Sequence, residues 1–92
     1  MASMLIQIKV KDFTEWKKVF EANSSVRTTN SELSHQIYRD ESDPNKLTAL
    51  YQWNSLANAK NFAQSPELRA AMEKAGVEGP PTVNFLNEAQ IN

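Results

Sequence analysis

His35 is the only histidine among 92 residues, and the chain has no cysteine. An imidazole is the one side chain whose ordinary pKa lies near neutrality, so His35 is the candidate general base or proton carrier. It equally suits a strand histidine bonded to a neighbour. Without a second His or a thiolate, no metal site of ordinary composition can be assembled around it. Asp40, Glu41 and Asp43 cluster beside Pro44, but their spacing lacks a calcium-loop pattern and reads as a solvated turn. A second group is aromatic. Trp16, Phe20, Tyr51, Trp53 and Phe62 can line a pocket for a flat apolar ligand with a few polar anchors, or simply fill a small core. At a strand end, Trp53 would want an acceptor for its indole N–H.

The elements that must position these residues are legible from periodicity. Residues 4–10 alternate, with Ile6, Ile8 and Val10 on one side and Leu5, Gln7 and Lys9 on the other, which predicts a strand. Asp12 and Glu15 resemble a capping box for a helix carrying Phe13, Trp16, Val19 and Phe20. Nothing before Asn30 interrupts that helix in the pattern, and Asn30 suits a left-handed stop. Residues 33–40 and 46–53 read as a hairpin turned at Pro44-Asn45. By alternation with Ile37, His35 points toward the helices. Asn54 or Ser55 caps a further helix through Ala63, which breaks at Ser65-Pro66 and restarts to Ala75. Gly76 stops it, Pro80 and Pro81 impose extended chain, and residues 82–88 form the last strand.

This order, β-α-β-β-α-β, predicts an α+β ferredoxin-like antiparallel sheet with helices on one face. A single domain over 4–89 is expected, with short tails at 1–3 and 90–92. The other sheet face would carry Leu5, Gln7, Lys9, Gln36, Tyr38, Thr48, Leu50, Gln52, Asn84 and Leu86. That mixture is too apolar for water and too polar for a core, which predicts a homodimer packed sheet to sheet. A net charge of −1 provides no footprint for nucleic acid or an anionic membrane. No apolar run is long enough to span a bilayer. The absence of cysteine fits a reducing, cytoplasmic setting.

Several stretches together resemble a known family: Tyr38-Arg39-Asp40 through Asp43-Pro44-Asn45; Leu50-Tyr51-Gln52-Trp53 running into Ser55-Leu56 and Ala59; Phe62-Ala63-Gln64-Ser65-Pro66-Glu67-Leu68 through Met72; and Gly79-Pro80-Pro81. The chain is similar to the dimeric α/β-barrel superfamily, near the antibiotic-biosynthesis monooxygenase-like domains. The resemblance implies a dimer with a ligand cavity between sheet and helices in each subunit. It makes Trp16, Tyr51, Trp53, Phe62 and Met72 the candidate ligand-binding residues and His35 the candidate catalytic base. The implied activity is cofactor-free oxidation of an activated aromatic or polyketide-like substrate. The alternatives are a non-enzymatic ligand-binding or stress-associated module and a proton-transfer cyclase or isomerase. The haem-degrading branch has a His ligand where this chain has Met72, and a Trp where it has Phe62. Neither residue replaces an imidazole ligand, so no haem and no other cofactor is expected. The family commonly ends its first helix with Gly, where this chain has Asn30.

Overall fold

A computed structural model describes residues 2–91; the expected tail residues Met1 and Asn92 lie outside them. The elements run β1 (Ala2–Val10), α1 (Phe13–Ala22), α2 (Ser24–Thr29), β2 (Glu32–Arg39), β3 (Lys46–Trp53), α3 (Leu56–Ala63), α4 (Pro66–Lys74) and β4 (Val77–Asn87). The strands form one antiparallel sheet in the order β2-β3-β1-β4. This is the expected α+β ferredoxin-like arrangement, with each helical connection split in two.

Cross-strand register decides which side chains meet. Phe85, Met4, Tyr51 and His35 form one row across the sheet, and Val83, Ile6, Ala49 and Ile37 the next. These rows face the helices. Met4, Ile6, Ile8, Val10, Leu47, Ala49, Tyr51 and Trp53 are buried there with Trp16, Ala59, Phe62 and Ala75. Phe85 shares the face but stands on the outer strand, where it is 37% exposed and lies 5.8 Å from the Lys60 ammonium. The opposite face carries exposed Tyr38 and Leu86 and half-buried Leu5 and Leu50.

Local chemistry explains the helix ends. Asp12 accepts a hydrogen bond from the Thr14 N–H, while Glu15 turns to Lys18 instead of closing the capping box. Ser55 accepts from the Asn58 N–H and Ser65 from the Leu68 N–H, each satisfying a donor that a helix start leaves free. Gly76, at φ +78°, ends α4 in the left-handed region.

Four expectations need correction. The first helix is not continuous to Asn30. The Asn23 side-chain amide donates to the Val19 carbonyl at 2.9 Å, competing for a helical acceptor, and the chain restarts as α2. Asn30 repeats that bond to Val26 and keeps a negative φ; the left-handed residue is Ser31, at φ +76°. The first strand begins at Ala2, not Met4, because Ala2 and Ser3 pair with Trp53 and Gln52 on one side and with Asn87 and Leu86 on the other. The last strand begins at Val77, not Thr82. Val10 and Lys9 pair with Val77 and Glu78, and Gln7 pairs with Thr82, so Gly79, Pro80 and Pro81 bulge out opposite Ile8.

Candidate functional site

The space between sheet and helices holds a cavity. Ile6 and Ile8 of β1 and Ala49 and Tyr51 of β3 form its floor. Trp16, Val19 and Phe20 of α1, Val26 and Arg27 of α2, Phe62 of α3, and Leu68, Ala71 and Met72 of α4 close it from above. Alternation along each strand and the 3.6-residue repeat of α1 bring these groups together. Trp16 stacks on Phe20 at 4.9 Å between ring centroids. The free space is about 50 Å³, room for a few waters rather than a ring. Leu68 and Met72 also line a larger groove, about 330 Å³, between α4 and β4. These two side chains therefore stand between the interior and the groove.

Of the candidate residues, Trp16, Tyr51, Phe62 and Met72 are brought together on the cavity wall. Trp53 is fully buried behind them, 6.2 Å from Tyr51 and 5.0 Å from Phe62 between ring centroids. Its indole N–H has no hydrogen-bond partner. His35 faces the helices but is one side chain removed from the cavity. Its ring meets Phe20 edge-on at 4.9 Å and Tyr51 at 6.5 Å. The imidazole is 39% exposed and its Nδ1 lies 3.2 Å from Glu32 Oε1.

Sequence reasoning missed the most unusual group at the site. Arg27 is 4% exposed. Its guanidinium lies over the Phe20 ring at 3.7 Å, and Nη1 donates to the Phe20 carbonyl at 2.7 Å. Nε stands 3.4 Å from Glu32 Oε2, close enough for an ion pair but off the line of a hydrogen bond, so that N–H has no hydrogen-bonding acceptor. Glu32 thus divides its carboxylate between Arg27 and His35. A signal for this was present: residues 16, 20 and 27 fall on one helical stripe, so a charge sits in an apolar row. Burial pushes the Tyr51 phenol above its ordinary pKa; Arg27 opposes the shift and Glu32 adds to it. Tyr51 is therefore a neutral hydrogen-bond donor at physiological pH.

The acidic cluster is turn scaffolding. Asp40 accepts from the Ser42 and Asp43 backbone N–H groups, Asp43 accepts from that of Asn45, and Asp43 pairs with Lys9 at 3.2 Å. Among the described residues, no group of three or more potential metal ligands converges, and no helix is long and apolar enough to cross a membrane.

Fold and cavity together define a ferredoxin-like α+β domain with an apolar interior that has a buried arginine in its wall. The sequence profile of the antibiotic biosynthesis monooxygenase family matches residues 1–74, and the chain belongs to that family. No curated protein matches the sequence. Among solved structures, the chain is similar to SnoaB, a cofactor-independent oxygenase from Streptomyces nogalater, with 12% identity, TM-score 0.78, and coverage of 98% of this chain and 94% of that one. It is similar to a protein assigned to the same family from Bordetella bronchiseptica, with 15% identity, TM-score 0.79 and 97% of each chain covered. A conserved protein from Methanosarcina mazei Go1 aligns at 14% identity and TM-score 0.72, over 97% of this chain and 94% of that one. At these identities the likeness establishes the fold.

Proposed function

We propose that the protein binds a flat, apolar small molecule between sheet and helices and oxidises it without a cofactor. The observation that carries this reading is the internal cavity, walled by Trp16, Phe20, Phe62 and Met72, with the neutral Tyr51 phenol as a polar anchor. Family membership and the likeness to SnoaB support it. The substrate class is an anthrone- or quinol-like aromatic, acidic enough to form its own carbanion or enolate. For an anthrone, proton loss yields a carbanion that reduces O2; one oxygen atom becomes the new carbonyl and the other leaves as water. The protein's part is a dry cavity, orientation and hydrogen bonds to the developing oxyanion.

His35 is the proposed proton acceptor. Geometry requires Phe20 to turn aside before the imidazole meets a ligand. Oxygen uptake with anthrone, measured beside His35→Ala, tests both parts. Uptake no faster than without protein removes the oxygenase assignment, and undiminished uptake in His35→Ala removes His35 as base. A second reading, a non-enzymatic ligand-binding module, is favoured by the small free space and by His35 standing behind the wall. It is distinguished by tight ligand binding with no oxygen consumed.

We also propose that a second copy covers the open sheet face. Exposed Leu86 and Tyr38 beside half-buried Leu5 and Leu50 support this, as do the amide groups of Gln36, Gln52 and Asn84. Such a mixture of apolar and hydrogen-bonding groups suits an interface between subunits.

A further inference from the structure

We infer that Arg27 is a specificity-determining residue: the cavity selects a ligand bearing an ionised oxygen, a carboxylate, phenolate or enolate, which docks at the guanidinium end against the Tyr51 phenol. The inference deepens the binding reading above and rests on it. The observation behind it is a charged side chain, 4% exposed, on the cavity wall with an N–H that no acceptor satisfies. A buried donor left unpaired costs stability, and an ionised acceptor forms the stronger, charge-assisted bond. Glu32 does not fill that role, since its Oε2 lies off the hydrogen-bond line and its Oε1 meets the His35 ring nitrogen. The cation is held flat by the Phe20 ring below it and by the Phe20 carbonyl on Nη1. Little rotamer freedom therefore remains to be lost when a ligand arrives.

The rest of the wall sharpens the choice. Asn23 commits one of its amide N–H groups to the Val19 carbonyl. Of the donors on the wall Arg27 alone carries a positive charge, and it stands with the protonated Tyr51 phenol among apolar groups, where an ion pair is weakly screened. Glu67, also on the wall, is exposed to solvent, and water screens its charge. A neutral aromatic of the same outline would fill the apolar part and leave the Arg27 Nε–H without an acceptor.

The test uses two bicyclic probes of one shape, 2-naphthoate and 2-naphthamide, titrated into the full chain by 1H–15N NMR at the Trp16 indole and Arg27 Nε–H signals. Naphthoate is expected to bind at least tenfold more tightly than naphthamide and to move the Arg27 signal. Arg27→Met alone risks unfolding, so Arg27→Met/Glu32→Gln removes the pair together; it should bind both probes alike. Glu32→Gln alone, which leaves the cation unopposed, should tighten naphthoate several-fold and leave naphthamide unchanged. Equal affinity in the parent chain, or discrimination that survives in the double variant, overturns the inference while the cavity reading stands. If neither probe moves the Trp16 signal, both fall.

Discussion

Replacing Arg27 by Met while Glu32 stays in place should remove a large part of the fold's stability. Methionine keeps an unbranched apolar side chain there, so the change removes the charge, its stacking on the Phe20 ring and the Nη1 bond to the Phe20 carbonyl. Glu32, whose side chain is 7% exposed, is then left with His35 as its remaining partner. Breaking one side of a buried ion pair costs about 3–5 kcal/mol, because the remaining charge stays desolvated. A domain of this size has a total stability of roughly 5–14 kcal/mol, so about a fifth or more of it is at stake. At about 4–8 °C per kcal/mol, the melting temperature should fall by at least ~12 °C. Urea unfolding followed by circular dichroism supplies the measurement. Arg27→Met/Glu32→Gln removes both charges and should recover most of the loss, since a neutral pair of similar volume is tolerated where a lone charge is not. A loss below about 1 kcal/mol in the single variant, or a double variant as unstable as the single, would show that the pair is not buried in solution and refute the reasoning.

Three further outcomes follow from particular residues. The unfolded chain releases the Tyr51 proton near the ordinary value of 10.0, whereas burial raises the folded value. The unfolded state thus holds fewer protons above about pH 10, and stability falls there as pH rises. Tyr51→Phe should flatten that decline in urea midpoints taken between pH 8 and 11, and an unchanged slope would place the phenol in solvent. Gly76→Ala should cost about 1–2 kcal/mol from the left-handed φ alone, because an added Cβ meets only Lys11 atoms at ordinary contact distance; a neutral result in thermal melts would mean that the α4 terminus readjusts. Leu86→Asp, on the open sheet face, should halve the mass measured by light scattering, and a parent protein already monomeric at micromolar concentration would remove the proposed dimer.

Features set by neighbouring residues were legible in the sequence; features set by distant partners were not. The caps at Ser55 and Ser65 act within three residues, and Gly76 acts through its own φ. The β3 strand was legible with its full bounds because inward and outward side chains alternate over its whole length. The start of β1 was hidden because Ala2 is ordered by Trp53 and Asn87, far along the chain. Pro80 and Pro81 looked like a boundary, yet pairing resumes at Glu78 beyond them. At the site, the aromatic wall was readable from helical and strand spacing. Arg27 falls on the apolar stripe of residues 16 and 20 in the continuous helical pattern, but a lone charge in a helix is ordinarily solvated, and its burial is settled by the cross-element partner Glu32 and the ring beneath it. The orientation of His35 followed from alternation, but its separation from the cavity depends on where Phe20 lies, which no local rule supplies.

The bulge at residues 79–81 also bears on how these molecules behave when crowded. A strand on the rim of a sheet offers its backbone as a template on which stray chains can accrete into fibrils. Here two successive prolines deprive that rim of amide hydrogens, and Gly79 bends the strand through a positive φ. An incoming strand would find only a short, interrupted ladder. Replacing both prolines with a residue such as valine would return two amide hydrogens to that rim and make it a better template for an incoming strand.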